Sequence, residues 1–220
     1  MPDRAITAVA PAPTSERRRC RLSVNGTAIL DIDSLCAGFW VTTLTSGSLV
    51  PKISRFYPAL MNIRDGVNGC RTPEGREDAG SMVPGANALA GVLKWPKETD
   101  DILVVQSSGD MRGAVTRPLI EQLEAYGGRR ISEIFGDGDA EENDDESCAF
   151  VLVGRYGLGY GLGHQVSTRG EARLQVLCSE DSWAGGRLLE GYFRKDCFAT
   201  VDTFTLMDRE DADNKEESKD

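Results

Sequence analysis

The stretch GRYGLGYGLGHQ, residues 154–165, contains five glycines and the single histidine of the chain, which makes it the first candidate for chemistry. A phosphate-binding loop joins a strand to the start of a helix and points backbone amides at the anion. Here glycine occupies every second position from Gly157 to Gly163, no lysine follows, and the next residues alternate as a strand does. This spacing predicts an exposed turn and argues against a nucleotide site.

Catalysis would require a nucleophile, an acid or a base with an identifiable partner. No serine, cysteine or aspartate can be recognised as a partner of His164, so we expect an ordinary loop residue there. A hydrolase or transferase could use Asp101, Asp110 or Asp137, but carboxylates near strand ends are common and no paired geometry is evident. We assign no catalytic residue and expect no cofactor.

Two groups of residues could bind a metal ion. An EF-hand loop beginning at Asp137 would need glycine at position six and glutamate at position twelve, where Glu142 and Cys148 stand. An EF-hand is therefore excluded, and an irregular cation site stays open. The six cysteines form no CxxC pair, which leaves a zinc ribbon without support. Six cysteines spread along the chain are compatible with up to three disulfides or with six free thiols. We assign no metal ligand.

The net charge of −10 is concentrated in two acidic runs, residues 137–146 and 208–220, so the rest of the chain is near neutral. Such runs are typical of solvated, flexible segments. The basic cluster Arg17–Arg19 is small, so we expect no nucleic-acid partner. No run of eighteen apolar residues predicts membrane insertion. Residues 1–19 lack the apolar core of a secretory signal, which indicates an intracellular protein or one whose leader has been removed.

The elements that would position these residues are mostly strands. RLSV-NG-TAIL, residues 21–30, predicts a hairpin, and residues 38–47 and 49–57 predict two neighbouring strands. Residues 101–108, DILVVQSS, predict a strand buried on both faces. Further strands are expected at 129–135, 148–157, 172–178 and 197–206, the last two antiparallel.

Two helices are expected between these strands. Ala86, Leu89, Ala90 and Leu93 have helical spacing and precede Pro96. Residues 116–128, TRPLIEQLEAYGG, have a capping threonine, a proline in the first turn and two glycines as the stop. A strand, a helix and a strand in this order predict a parallel crossover. The fold class is therefore α/β (α+β), a mixed, β-rich sheet packed with about two helices.

The predicted organisation is a single domain with two tails. Residues 1–18 are rich in alanine, proline and arginine without period, so we expect a disordered N-terminal arm. The domain spans residues 19–207, with a long polar loop at 62–85 and an acidic insertion at 136–147. Residues 208–220 are expected to be a disordered acidic tail.

Five segments between about residues 20 and 165 carry a resemblance to a known family. They are Gly38–Val41, Arg55–Tyr57, Asp101–Val105, Leu119–Gly127 and Phe150–Gly157. Their order resembles the ILEI/PANDER-like domain of the interleukin-like EMT inducer and pancreatic-derived factor family. The chain departs from that pattern at Cys148, where the family has a tryptophan, and at Gly109–Arg112, where it has an Asp-Glu-Ala-Ser stretch.

This resemblance implies a non-catalytic binding module, secreted or lumenal, which the six cysteines would suit. The module would recognise a glycan or a protein partner, since a similar domain forms the sugar-binding stem of an O-mannose N-acetylglucosaminyltransferase. The candidate contacts, expected near strand ends at one edge of the sheet, are Asp110, Arg112, Arg155, Tyr156 and Tyr160. The alternative is an accessory structural subunit of a larger protein assembly.

Overall fold

The computed structural model describes residues 4–34, 36–46, 48–62, 82–94, 101–111, 114–136, 147–178 and 197–201. Within these ranges the chain forms twelve strands and three helices. In chain order they are β1 (Arg4–Ala10), β2 (Arg19–Val24), β3 (Thr27–Asp33), β4 (Gly38–Leu44), β5 (Pro51–Pro58), β6 (Leu60–Asn62), β7 (Met82–Pro84), α1 (Gly85–Leu93), β8 (Ile102–Ser108), α2 (Arg117–Ala125), α3 (Ile131–Phe135), β9 (Ala149–Arg155), β10 (His164–Thr168), β11 (Ala172–Cys178) and β12 (Cys197–Val201). The protein is β-rich, as the sequence predicts, and compatible with the α+β class.

Ten strands form two five-stranded antiparallel sheets. The outer sheet has the order β12-β11-β1-β2-β3, and the inner sheet has the order β10-β9-β8-β4-β5. β6 and β7 pair as a separate ribbon. The expected mixed sheet with a parallel crossover is wrong, because β8 and β9 are antiparallel neighbours. α2 ends beside Arg155, at the end of the sheet where β8 begins. α3 lies towards the opposite end, where Phe135 contacts Phe150 near the start of β9.

The inner sheet has two buried faces. One face packs against the outer sheet, and this interface interleaves apolar side chains of both sheets, among them Ile6, Leu22, Leu174, Val104, Val151 and Val153. The other face packs against the helices through a second cluster that includes Phe39, Leu103, Phe150, Leu89, Leu119 and Leu123. The protein thus has three layers, which are the outer sheet, the inner sheet and the helices.

The predictions of β8 as a buried strand and of α2 as a helix are confirmed. Every residue of β8 is buried, as its continuous apolar run requires. α2 begins after Thr116, with a proline in its first turn. Thr116 makes no side-chain cap bond to the helix. Its hydroxyl instead donates a hydrogen bond to Asn87 Oδ1 at 2.9 Å, which joins α2 to α1.

The Asn-Gly hairpin is also confirmed, and it joins β2 to β3. Asn25 and Gly26 have φ angles of 51° and 77°, the left-handed pair that a tight two-residue turn requires. The Asn25 side chain also accepts a hydrogen bond from the Ala5 amide at 2.9 Å. The turn therefore fixes both the β2–β3 hairpin and the start of β1.

The expected disordered arm at residues 1–18 is wrong, because Arg4–Ala10 forms β1. This strand lies in the middle of the outer sheet, between β11 and β2. Its alternate residues Ile6, Ala8 and Ala10 are buried against the inner sheet. Small apolar residues fit this closely packed position, so a segment of modest hydropathy becomes a central strand through partners distant in sequence. The described fold begins at Arg4, before the predicted limit at residue 19.

The strand expected at residues 129–135 is wrong as well, because Ile131–Phe135 forms α3. Ile131, Ile134 and Phe135 have the i, i+3, i+4 spacing of a helix, and Ile131 and Phe135 are buried. The Phe135 ring contacts Phe39 and Phe150 edge-on, at centroid distances of 5.7 and 5.2 Å. Burial against these two strands of the inner sheet stabilises a helix too short to form alone.

Several predicted segments lie largely outside the described residues. The long loop predicted at 62–85 is bounded by the paired strands β6 and β7, and its residues 63–81 are not described. The acidic run at 137–146 and the tail at 208–220 are not described either. In the part of the chain that is described, no helix is long and apolar enough to cross a membrane.

Candidate ligand-binding surface

The predicted contact residues that the structure describes do not come together at one edge of the sheet. β8 and β9 are antiparallel with Ile102 opposite Arg155, so Arg155 lies beside the start of β8. Asp110 follows the end of β8, a strand of seven residues, so about 20 Å of sheet separates the two ends. Arg112 lies outside the described residues. The expectation of one shared edge is therefore wrong.

Arg155 and Tyr156 contribute to packing at the end of β9. The Arg155 residue is only 5% exposed, and its backbone amide donates to the Tyr126 carbonyl at 3.2 Å. The Tyr156 ring packs edge-on against Tyr126, with the ring centroids 5.5 Å apart. These positions give Arg155 little surface to offer a ligand, while Tyr160 lies further along the connection to β10.

The glycine-rich connection from Tyr156 to Gly163 packs against the C-terminal end of α2. The amides of Gly161 and Gly163 donate to the carbonyls of Gly128 and Gly127 at 2.9 and 2.8 Å. A Cβ atom on Gly127 would lie 2.3 Å from the Gly163 nitrogen, so only glycine permits this approach. The alternating glycines therefore serve backbone packing. The predicted turn is confirmed, but only part of it is exposed, since Gly161 and Gly163 are buried.

His164 is the first residue of β10, opposite Val153 of β9. The prediction that His164 lies in a loop is therefore wrong, because it lies in a strand. The strand QVST that follows is confirmed, as is β11 beyond it. Since the residues after the glycines form a strand, the turn does not lead directly into a helix as a phosphate loop does.

The glycine turn presents two large side chains to solvent, Tyr160 and Leu162, which are 58% and 46% exposed. The Tyr160 hydroxyl accepts a hydrogen bond from the Arg130 amide at 3.2 Å. The Gln165 side chain accepts from the Arg129 amide at 2.8 Å and donates to the Arg129 carbonyl at 2.7 Å. These bonds fix the turn against the Arg129–Arg130 backbone.

We call this group the glycine-turn surface, and it consists of Arg129, Arg130, Tyr160, Leu162 and Gln165. Of these residues only Tyr160 was predicted as a ligand contact from the sequence. The alternating glycines mark the turn, but they do not distinguish the exposed Leu162 from Leu158, which packs against the core. No comparable sequence signal marks Arg129 or Gln165, which are brought there by the fold.

The glycine-turn surface offers binding chemistry. It combines an aromatic ring, an aliphatic side chain, a side-chain amide and exposed guanidinium groups. The Arg130 guanidinium pairs with Glu133 on α3. Nearby Tyr126 donates to the Leu93 carbonyl at 3.4 Å, and burial, then Tyr156 and Asp101, raise its pKa to about 12. Tyr126 therefore stays protonated at neutral pH and has a structural role.

Among the described residues, no group of three or more histidine, cysteine, aspartate or glutamate side chains could hold a metal ion. Among the described cysteines, Cys20 carries a free thiol and Cys36 is disulfide-bonded. No protein-family model matches the chain, and no curated protein matches it closely enough to count as a relative. The ILEI/PANDER-like resemblance therefore stays a prediction.

Proposed function

We propose that this protein is a non-catalytic binding module of the ILEI/PANDER-like type, which recognises a glycan or a protein partner. The proposal depends on one observation, the solvent exposure of Tyr160 and Leu162 on a turn held by backbone and side-chain hydrogen bonds. Two large exposed side chains, two residues apart on one turn, offer apolar surface that a ligand would cover. A turn already fixed in place also loses little conformational freedom when it binds.

The composition of the glycine-turn surface suits either a sugar or a peptide. A tyrosine ring can stack on the apolar face of a sugar ring, while Arg129 and Gln165 can bond to hydroxyl or carbonyl groups. Tyrosine and arginine are also the residues that dominate protein interfaces. A secreted or lumenal location, as the resemblance implies, would supply partners of both kinds.

A glycan array with the full chain tests the sugar version of the proposal. We expect binding by the parent protein and a loss of about tenfold or more for Tyr160→Ala, because the ring supplies the main contact area. Tyr160→Phe retains the ring and should lose less. Val92→Ala, which removes an exposed apolar side chain from α1, is the matched control and should bind as the parent does. No binding of the parent to any glycan would eliminate the sugar version.

An accessory subunit of a larger assembly is the second candidate, and the edge of the inner sheet favours it. β5 is an edge strand, and both Ile53 on it and Val50 beside it are exposed. Such an edge can pair with a strand of another protein. Peptide mass mapping without reduction separates the candidates, since cysteine pairing would support the secreted module and six free thiols would support an intracellular subunit.

A further inference from the structure

A second surface with binding chemistry lies on the outer sheet, away from the glycine turn. Arg19 and Arg21 are alternate residues of β2, so their side chains share one face. Arg17 lies in the bend before β2 and lines the same depression. They line an open depression of about 360 Å³. The other lining residues are Pro11, Ala12, Ser15 and Glu171. We call this group the arginine depression.

The connection from β1 to β2 forms one wall of the arginine depression and is held in place locally. The Ser15 amide donates to the Ala12 carbonyl at 3.0 Å, which closes a turn. The Ser15 hydroxyl donates to the Arg17 carbonyl at 2.9 Å. Pro11 in this wall has a fixed φ angle and is buried. The shape of the depression therefore does not need a ligand to form.

Two of the three arginines in the depression already have carboxylate partners. Arg19 binds both oxygens of Asp31, with nitrogen–oxygen distances of 2.5 and 2.8 Å. Arg21 binds Glu171 at 3.0 Å. The side chains of both pairs remain about half exposed, so they can also contact a ligand. Within the described part of the chain, no ion pair is formed by the exposed Arg17 guanidinium.

The charges in the arginine depression define the ligand that would fit. The Arg17 guanidinium can bind one sulfate or carboxylate group through paired N–H donors. Glu171 can accept hydrogen bonds from neutral hydroxyl groups, but it would repel a second anionic group on the ligand. A volume of about 360 Å³ is at the small end of ligand pockets and suits one or two sugar rings.

We propose that the arginine depression binds a sugar unit that carries one sulfate or carboxylate group and free hydroxyl groups. The anion contacts Arg17, and the hydroxyl groups contact Glu171 and the exposed edges of Arg19 and Arg21. An acidic peptide fits less well, since it would bring several negative charges towards Glu171. This second site is separate from the glycine-turn surface and does not depend on it.

Calorimetric titration of the full chain tests this site at constant ionic strength. The probes are a monosulfated disaccharide, the same disaccharide without sulfate, and inorganic sulfate. We expect the sulfated sugar to bind at least tenfold more tightly than either of the others. Arg17→Gln should weaken its binding about tenfold, because a hydrogen-bonded charge contact is lost. Arg117→Gln, which removes an exposed arginine from α2, is the matched control and should have no effect.

Four results would overturn the proposal. They are no binding of the sulfated sugar, inorganic sulfate binding as tightly as the sugar, a peptide of aspartate and glutamate binding more tightly, and equal weakening by Arg17→Gln and Arg117→Gln. Circular dichroism of Arg17→Gln checks that the exposed substitution leaves the fold intact. Only this site requires both the sulfate group and Arg17, so its failure is distinguishable from failure of the glycine-turn proposal, which Tyr160→Ala tests.

Discussion

The two five-stranded sheets of this protein have similar size but very different surroundings. Every residue of β8 and β9 in the inner sheet is buried, because the outer sheet covers one face and the helices cover the other. The outer sheet is buried on one face only, and its β2 strand alternates Arg19 and Arg21 outside with Cys20 and Leu22 inside. The open face of the outer sheet therefore has room for charged residues that the inner sheet could not accommodate.

Because of this difference, we expect buried residues of the inner sheet to determine stability and exposed residues to determine binding. The inner sheet forms both hydrophobic clusters, so its interior residues should tolerate little change. The outer face of β2 and the glycine turn at the end of the inner sheet are in contact with solvent. Their residues should tolerate substitution and should affect binding instead.

The largest expected effect is that of Gly154→Ala in β9. A Cβ atom at this position would lie 1.9 Å from the Tyr126 carbonyl oxygen, so the helical layer would have to move away from the inner sheet. We expect a loss of about 4 kcal/mol or more in the free energy of unfolding, measured with urea. Gly170→Ala, in the turn between β10 and β11, is the control because nothing lies within 4 Å of its Cβ position. Equal unfolding midpoints for the two variants would contradict this packing.

A matched pair of substitutions compares the two sheets directly. Leu152→Ala removes a fully buried side chain of β9 and should cost about 2–5 kcal/mol in the free energy of unfolding. Arg19→Gln removes one partner of an exposed ion pair on β2 and should leave the urea midpoint nearly unchanged. The comparison would be wrong if urea unfolding gave similar losses for both.

A smaller effect should appear with pH and involves the buried side of the outer sheet. Cys20 is fully buried, and this burial raises the pKa of its thiol from 9.0 to about 12. Hydrogen bonds with Ser34 and Ser108 lower the pKa, but by less than burial raises it. Between pH 9 and 11 the unfolded chain would lose the thiol proton while the folded protein retains it. Cys20 should therefore lower the free energy of unfolding by at most about 1.4 kcal/mol per pH unit in that window, with no contribution at pH 7.

Urea unfolding at pH 8, 9 and 10 measures this dependence, and Cys20→Ala is the reference. The variant should lose less stability than the parent as the pH rises. Tyr126, whose pKa is also raised to about 12, contributes equally to both proteins and cancels in the comparison. Identical pH slopes would show that Cys20 ionises in the folded protein as easily as in the unfolded chain.

Local signals predicted much of the fold correctly. Asn25-Gly26, the continuous apolar run of β8, and the early proline and apolar spacing of α2 each specify their structure within a few residues. β1 could not be predicted in this way, because its burial depends on β11, far away in the sequence. The direction of β9 relative to β8 is also set by the whole connection between them. The apolar residues of α3 have helical spacing, but its β-branched isoleucines are typical of strands and favoured the wrong prediction.

The candidate site was predicted less well than the fold. The glycine turn and Tyr160 were recognised, because glycine spacing limits what a chain can do. Asp110 and Arg155 were predicted to lie near each other because each is found where a strand ends. Only the antiparallel register of β8 and β9 shows that they lie at opposite ends of the sheet. Arg17 and Arg19 were considered only as a basic cluster. Their alignment with Arg21 along one depression requires knowledge of where β2 begins.

The central position of β1 in the outer sheet has a consequence for biosynthesis. Thr7 of β1 lies opposite Gln175 of β11, 168 residues later in the chain. β1 is translated long before β11, and this pairing has to wait until Gln175 has been translated. Contacts of such sequence separation form slowly. The outer sheet should consequently be completed last, after the β2–β3 hairpin has formed, and chaperones would meet β1 as an exposed strand during synthesis.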